Sequence, residues 1–528
     1  MTELADRPAE VETVHAAGSP LGRRKHRIAL AAIATASAGL NAAAGFLQYR
    51  TFRAGTFDLV IFDQAIRSYS RFRLPISIAK GVHNGFGAGF VILGDHFSPI
   101  LALLAPLYWL SSGPQTLIIA QAVLFAVAVF PLFSFTRREL GPVCGYGIVL
   151  AYAVSWPVAQ AVTFDFHEVA FAPVLTALLF DRWSAYRHGA GRWWPVAVAA
   201  LLLLTVKDDT GLLIAGFGLA VLVQSLRRVP ARRVARWLGS AFVLGGLAAV
   251  LVATRFVLPA FGGRAFGGRA GFYGAYGQTM FGALVHIAAH PVDAIRTFVQ
   301  PAVKADTMLR LFGLAVFAPF ASPYLLAVLP MLAERMLADA PNWWGTEFHY
   351  NAYLVVPLLC AGVDGIARIQ RCAAARSSGR PVLRWSGRLG ALWTAAVLIV
   401  GVCSIGSFGF GPVLRPSSWQ RTPAMTAEAA AVAVVPSGVT VEAANNLGPQ
   451  LSGRTTVLLW DRLPRWAPWV VADVHAAEFP FCDLAEQRTR VDYLEQHGYR
   501  AVFSQEGFLV LHDPAALPPL DTAPSPSC

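Results

Sequence analysis

The stretch Gln115–Phe135, with the sequence QTLIIAQAVLFAVAVFPLFSF, is long and apolar and contains no charged residue. About 20 consecutive apolar residues allow a helix to cross roughly 30 Å of hydrocarbon. Ile28–Tyr49 and Leu238–Ala260 are almost as apolar. Over the 528 residues, 55% are hydrophobic and 14% are charged, whereas soluble domains carry about 25% charged residues. The sequence therefore predicts an integral membrane protein that crosses the bilayer many times.

The same pattern recurs along the chain and predicts about eleven spans. Their predicted starts lie near Ile28, Gln115, Pro142, Val169, Trp193, Thr210, Leu238, Met308, Pro323, Tyr350 and Leu389. The short apolar stretch Leu101–Leu110 is interpreted as an amphipathic or re-entrant segment at the outer face, because a crossing there would break the alternation of the loops. The predicted fold class is an all-α polytopic membrane protein.

The formal net charge of +12 is carried by arginines in short loops between the apolar stretches. The clusters are Arg23, Arg24 and Arg27; Arg137 and Arg138; Arg227, Arg228, Arg232, Arg233 and Arg236; and Arg368, Arg371, Arg376, Arg380, Arg384 and Arg388. Such loops normally face the cytoplasm. We therefore expect a plasma-membrane protein with a cytoplasmic N-terminus and an extracytoplasmic C-terminus. No nucleic-acid motif lies between the clusters, so no nucleic-acid partner is expected.

The composition changes after the last span and predicts a second domain. Short alternating runs such as Val439–Ala443 and Phe508–His512 indicate strands, and Arg488–His497 has a helical pattern. The predicted organisation is a cytoplasmic tail at 1–27, a transmembrane domain at 28–410 with a first outer loop at 50–114 and a long outer loop at 259–307, a small extracytoplasmic α/β domain at 411–515, and a disordered tail at 516–528. We expect a structural or docking role for the α/β domain.

The six cysteines show no metal-binding spacing. Cys482 and Cys528 both fall on the predicted outer side, where a disulfide would be stable. Spacing alone does not decide whether they pair.

Polar sequences rich in Asp, His and Glu lie beside aromatic residues at the predicted outer ends of the spans. They are Phe57–Gln64 (FDLVIFDQ), Gly94–Pro99 (GDHFSP), Phe164–Glu168 (FDFHE), Lys207–Asp209 (KDD) and Glu347–Tyr350 (EFHY). Charged groups at membrane depth are costly and usually line a cavity or a site. Ordinary outer loops would be richer in Ser, Gly, Asn and Lys. We therefore expect one shared site at the outer face.

Individual residues of these sequences suggest roles in that site. Asp63 has no evident capping role and is predicted to be a general base, whereas Asp58 is interpreted either as a helix cap or as a ligand to substrate. Lys207 is one of four lysines among 43 basic residues, which favours a specific contact to phosphate over a simple turn. The predicted substrate-binding residues are Asp58, His96, His167, Glu168, Lys207, Asp208, Asp209, Arg264, Arg269, His349 and Tyr350.

Two further sequence segments have alternative interpretations. Arg264 and Arg269 lie in the Gly-rich stretch Phe261–Gly277, which either clamps a phosphate or is a flexible loop. Asp95 and His96 either begin a helix, bind a divalent cation or position a sugar hydroxyl. A divalent cation is therefore a possible cofactor, although no cofactor is certain and no ligand set is assigned.

Two family resemblances add to these predictions. The run Phe62–Ser77 (FDQAIRSYSRFRLPIS), after the first span, resembles the first outer loop of the GT-C superfamily of lipid-linked-sugar glycosyltransferases. In that superfamily the acidic residue of this loop serves as the base or helps to hold a metal, which implies that role for Asp63. Gln64 stands where a second acidic residue is usual. The pieces FDLVIFDQA, GDHFSPILALLAPLY, KDD and HYNAYLVVPLL resemble the domain of unknown function 2079 family of bacterial membrane proteins.

The GT-C resemblance implies a GT-C-like fold and an enzyme that transfers a sugar from a polyprenyl-phosphate carrier at the outer membrane face. Its partners would be the bilayer and that lipid-linked sugar. A transporter or lipid flippase with an outward-facing polar cavity is the alternative, although such proteins commonly carry internal repeats and sites near mid-membrane. A third hypothesis is an assembly or scaffold protein that acts through its outer domain.

Overall fold

The computed structural model describes residues 20–226, 232–263, 273, 276, 280–376, 383–517 and 523–526. The N-terminal helices are α1 (Pro20–Arg50), α2 (Ile61–Tyr69), α3 (Ile78–His83), α4 (Leu107–Leu110), α5 (Pro114–Val127), α6 (Val129–Leu140), α7 (Pro142–Ala153), α8 (Trp156–Thr163), α9 (Phe171–Arg187), α10 (Trp194–Leu203) and α11 (Thr210–Ser225). They are followed by α12 (Arg232–Val252), α13 (Leu258–Gly262), α14 (Met280–Ala289), α15 (Pro291–Val299), α16 (Ala302–Leu314), α17 (Leu325–Leu337), α18 (Pro341–Trp344), α19 (Ala352–Arg376) and α20 (Leu383–Ser404).

Six helical segments in the described residues are long and apolar enough to cross a membrane. They are Arg24–Arg50, Pro114–Leu140, Pro142–Thr163, Arg232–Gly262, His349–Ala375 and Arg388–Ser407. The other five predicted spans fall within or beside the shorter helices α9, α10, α11, α16 and α17. A ten-residue helix such as α10 rises only about 15 Å, half of the hydrocarbon thickness. The chain is a mostly helical multi-pass membrane protein, and the count of eleven spans stays a prediction.

Small residues bring the central helices into close contact. A Cβ atom added to Gly211 of α11 would lie 2.4 Å from the carbonyl oxygen of Gly246 in α12, and one added to Gly216 would lie 2.1 Å from that of Leu326 in α17. Such backbone approach is typical of helix packing in membranes. This packing places the Lys207–Asp209 turn, at the start of α11, in the same region as α17 and the loop that follows it.

The first outer loop is built from short helical pieces. A π-helical turn, Thr56–Val60, leads directly into α2, and a 3₁₀ helix, Pro99–Leu104, precedes α4. The backbone N–H of Ile100 donates to the carbonyl oxygen of Thr205, 3.1 Å away, which joins this loop to the Lys207 turn. The segment predicted at Leu101–Leu110 is thus two short helices, from which Leu103, Trp109 and Leu110 project exposed side chains.

The C-terminal residues form the small α/β domain that the sequence predicts. Its helices and strands are α21 (Pro423–Val434), β1 (Thr440–Ala443), α22 (Gly448–Ser452), β2 (Thr456–Leu459), β3 (Trp469–Asp473), α23 (Leu484–Gln496), β4 (Arg500–Gln505) and β5 (Phe508–His512). The strand order is β2-β1-β3-β5-β4. Strand β1 pairs in parallel with β2 and β3, whereas β5 pairs antiparallel with β3 and β4. The placement of this domain outside the cell stays a prediction.

The α/β domain packs on the end of α1 and on the first outer loop through polar contacts. The side-chain amide of Gln64 in α2 donates to Val457 O at 2.9 Å, and that of Gln450 donates to Tyr49 O at 2.5 Å. Cys482 is disulfide-bonded. Cys528, for which the sequence left pairing with Cys482 open, lies outside the described residues.

Candidate functional site

Two histidines from different helices form the centre of the candidate site. His167 precedes the 3₁₀ turn that leads into α9, and His349 begins the turn that leads into α19. Their rings stack with centroids 3.7 Å apart, and the Phe164 ring stacks on both. His167 Nε2 lies 3.4 Å from Asp58 Oδ1 on the Thr56–Val60 turn. The segments that follow α1 and α8 and the segment that precedes α19 thus converge at one point.

Several polar atoms at this point have no hydrogen-bond partner among the described residues. They are His167 Nδ1, His349 Nδ1 and Glu168 Oε2. The three side chains are 3%, 4% and 0% exposed, respectively. Because buried polar groups in folded proteins are almost always hydrogen-bonded, such atoms point to a polar ligand or to ordered water.

Lys207 supplies a positive charge beside the histidines. Its Nζ lies 3.9 Å from Glu168 Oε1 and 3.6 Å from Asp209 Oδ2. The rings of Tyr350 and Tyr353 face the same nitrogen at 5.5 and 5.8 Å. Burial by itself would lower the pKa of Lys207, but the carboxylates of Asp209 and Glu168 outweigh it and raise the pKa. The lysine is therefore charged at neutral pH.

Arg335 on α17 contributes a second buried cation, with its guanidinium 5.7 Å from the centroid of the Tyr350 ring. Its guanidinium donates to Trp343 O, to Tyr350 O at 3.3 Å and to Asn351 Oδ1 at 3.1 Å. Among the described residues it forms no ion pair with a carboxylate. Its hydrogen bonds fix the turn that presents His349 and Tyr350, and its charge favours an anion nearby.

His96 lies at the edge of the cluster. Its Nδ1 is 2.6 Å from Asp95 Oδ2, which also lies 3.0 Å from Lys80 Nζ. The Phe62 ring contacts both the His96 and the His167 rings, with centroids 5.9 and 5.1 Å away. In the part of the chain that the structure describes, no group of three or more His, Cys, Asp or Glu side chains is placed to hold a metal. A divalent cation therefore stays a prediction.

Asp63 does not point into this cluster. Its Oδ1 accepts a hydrogen bond from the Tyr108 hydroxyl at 2.7 Å, and its Oδ2 accepts from Arg67 and from Ser452 of the α/β domain. The side chain is 0% exposed. A carboxylate with both oxygens engaged in a closed environment is poorly placed to take a proton from a substrate. Its predicted role as the base stays a prediction that these surroundings do not favour.

The remaining predicted residues fall into two groups. Asp208 and Asp209 lie in the Lys207 turn, and Asp208 is 6% exposed. Arg264 and Arg269 lie outside the described residues.

Four residues of the site are not among the individually predicted site residues: Phe164, Asp165, Arg335 and Tyr353. Asp165 has a φ of 99°, unusual for a residue other than glycine, and its Oδ2 accepts a hydrogen bond from the Gly55 N–H at 2.8 Å. Burial, reinforced by the negative charge of Asp58, raises the pKa of Asp165. The Tyr353 hydroxyl donates to Glu168 Oε1 at 3.4 Å. Phe164 and Asp165 stand inside the motif FDFHE, whereas nothing in the local sequence marks Arg335.

Comparison with known proteins gives distant structural similarity. ArnT from Cupriavidus metallidurans bound to undecaprenyl phosphate is 11% identical, with a TM-score of 0.49 and coverage of 93% of this chain and 98% of that one. The oligosaccharyltransferase of Archaeoglobus fulgidus in the apo form is 11% identical, with a TM-score of 0.43 and coverage of 94% and 75%. AglB from the same organism, in complex with an inhibitory peptide and a dolichol-phosphate, is 11% identical, with a TM-score of 0.38 and coverage of 93% and 75%.

At these identities and TM-scores the comparison does not define what this chain binds or catalyses. No curated protein matched the sequence. A family model described as "Predicted membrane protein (DUF2079)" matches residues 48–509. The chain therefore belongs to the DUF2079 family of membrane proteins.

Proposed function

We propose that this protein is a glycosyltransferase that takes a sugar from a polyprenyl-phosphate carrier at the outer face of the membrane. The observation that carries the proposal is the buried cluster of His167, His349, Glu168 and Lys207, which combines a cation, ring faces and unpartnered polar atoms. Such a combination suits a ligand that has both hydroxyl groups and a phosphate.

Asp58 is the proposed general base. Its side chain is 33% exposed, so that a substrate can reach the carboxylate, and its Oδ1 lies 3.4 Å from His167 Nε2. In the reaction, the acceptor oxygen forms a bond to the anomeric carbon, the bond from that carbon to the phosphate oxygen breaks, and the acceptor proton passes to Asp58. A base in this position typically contributes about 10²–10⁴-fold in rate.

The leaving phosphate is proposed to lie against Lys207. Negative charge develops on the phosphate oxygen as its bond to the sugar breaks, and a buried cation stabilises that charge more strongly than one in water. Arg335 has no carboxylate partner among the described residues. Its guanidinium, next to the Tyr350 ring, adds to the positive potential at the site.

The sugar ring is proposed to lie among His96, His167, His349 and Tyr350. The unpartnered Nδ1 atoms of His167 and His349 would then bond to sugar hydroxyls. These residues lie at helix ends and in the turns between helices, which supports an interfacial enzyme over the transporter alternative, whose sites commonly lie near mid-membrane.

The test is a radiolabelled-sugar transfer assay in membranes supplied with a panel of polyprenyl-phosphate sugars. We expect transfer by the wild type and a fall of about 10²–10⁴-fold in Asp58→Asn. Asp63→Asn is the matched comparison. It should lower the amount of folded protein, because Arg67 loses its charged partner, but leave the rate per folded molecule closer to that of the wild type. If Asp63→Asn alone abolished turnover in folded protein, the base would be Asp63.

A further inference from the structure

The turn that carries Asp58 is held at its start by hydrogen bonds from distant parts of the chain. The Thr56 N–H donates to Asn445 O at 2.7 Å, and the Phe57 N–H donates to Asn445 Oδ1 at 3.1 Å. The Thr56 hydroxyl also donates to Asn445 O, at 2.8 Å. The preceding Gly55 N–H is taken by Asp165. Asn445 belongs to the loop between β1 and α22 of the α/β domain.

These bonds replace a cap that the local sequence does not provide. The first N–H groups of a helix have no partner within the helix, and a Ser, Thr, Asp or Asn side chain immediately before it usually accepts from them. The residue at that place is Gly55, which has no side chain, and no side-chain cap is formed there. Asn445 therefore fills the capping role from another domain.

The residues on both sides of Asn445 are anchored by contacts of their own. The neighbouring Ala444 N–H donates to Val471 O of β3 at 2.8 Å. The Asn446 side-chain amide donates to Glu428 at 3.2 Å and to Asp473 at 3.0 Å. Gly448 packs on Thr56 so closely that a Cβ atom would lie 2.0 Å from the Thr56 hydroxyl oxygen. The loop therefore acts as a fixed support against which the turn is built.

We infer that Asn445 is a positioning residue for Asp58. By capping the Thr56–Val60 turn it holds the Asp58 carboxylate beside His167, so that the α/β domain is part of the catalytic apparatus. The inference gives the α/β domain a role beyond the structural or docking one that the sequence predicts. The inference rests on the proposed function for its catalytic consequence, and on the hydrogen bonds alone for its structural one.

The test compares Asn445→Ala, Asn445→Asp and Gln450→Ala in the full-length protein in nanodiscs. Gln450→Ala is the matched control, because it removes one bond across the same domain interface, to Tyr49 O, without touching the Asp58 turn. Amide hydrogen exchange at Phe57 should become at least tenfold faster in Asn445→Ala and remain unchanged in Gln450→Ala. Asn445→Asp should restore protection, because Asp is also a good cap.

Turnover gives the second readout. We expect kcat to fall about 10- to 100-fold in Asn445→Ala, with the donor KM unchanged, because displacement of a catalytic group by about 1 Å has costs of this order. Asn445→Asp should recover most of kcat and move the acid limb of its pH profile to higher pH, because a new negative charge raises the pKa of the nearby base.

Unchanged Phe57 exchange in Asn445→Ala would overturn the inference. Equal losses of kcat in Asn445→Ala and Gln450→Ala would also overturn it, since they would indicate only a loosened interface. If the wild type transferred no sugar, the proposed function would fail, and the exchange comparison would still decide whether Asn445 holds the turn.

Discussion

Asp58 and Asp63 lie five residues apart and have different surroundings. Five helical residues turn about 500°, which leaves the two side chains roughly 140° apart. Asp58 faces His167 and is partly exposed, whereas Asp63 is enclosed by Arg67, Tyr108 and Ser452. The sequence predicts that they do not share a face. The choice of base between them depends on the packing of the α/β domain over α2.

At the same scale, the ion pair of Lys207 and Glu168 makes a prediction about stability. Lys207→Gln leaves the buried Glu168 carboxylate without its positively charged partner. Removal of one member of a buried ion pair typically lowers the free energy of unfolding by about 3–5 kcal/mol. Adding Glu168→Gln removes the uncompensated charge, so the double variant should recover part of the loss. Thermal unfolding in nanodiscs measures both. A double variant less stable than Lys207→Gln would show that the charge of Glu168 is compensated by other groups.

At the scale of elements, carboxylates gather where α21 meets the ends of β1 and β3. Glu428 lies on α21, Asp473 ends β3, and Glu478 follows it. Burial, reinforced by Asp473 and Glu478, raises the pKa of Glu428 to about 8. Burial and the charge of Asp473 raise the pKa of Glu478 to about 7. The folded domain therefore favours the protonated form of both groups.

This arrangement predicts that the α/β domain loses stability as the pH rises. A carboxyl group whose pKa is raised by folding stabilises the fold fully below its unfolded pKa, here the ordinary value of 4.5, and this contribution is lost as the pH rises through about 7 to 8. Hydrogen exchange over β1 and β3 in the full-length protein, corrected for intrinsic rates, should show stronger protection at pH 5 than at pH 8. Glu428→Gln should flatten the difference, whereas equal protection in the wild type would contradict the prediction.

At the scale of the whole molecule, the two domains are joined by polar contacts that converge on the first outer loop. Gln64, Asp63, His83 and the Thr56–Val60 turn all bond to the α/β domain. Because contacts of this kind need exact geometry, the domain is expected to stay docked during turnover instead of acting as a mobile module.

The topology of the whole chain also makes a prediction. The arginine-rich loops predict a cytoplasmic N-terminus and an α/β domain outside the cell. Alkaline phosphatase fused after Leu517 should therefore be active, because that enzyme needs an oxidising compartment to form its disulfides. The same fusion after Arg376, in an arginine-rich loop, should be inactive. Activity of the second fusion and not the first would reverse the orientation.

The sequence by itself determined the membrane class, the small α/β domain and the polar segments of the candidate site. These properties are local, because the length of an apolar stretch and the period of its polar residues can be read within a short window. For the same reason the motifs FDFHE and KDD could be singled out, although the roles of their residues stay predictions.

Only the tertiary structure decided which of these residues meet. The stacking of His167 on His349 and the approach of Arg335 to the Tyr350 ring depend on how α9, α17 and α19 pack. The enclosure of Asp63 depends on the packing of α4 and the α/β domain against α2. The bond from Phe57 to Asn445 spans 388 positions of the chain, and no local pattern marks it. A contact between residues so far apart forms only when the whole fold brings their backbones together, and a single sequence carries no signal of that distance.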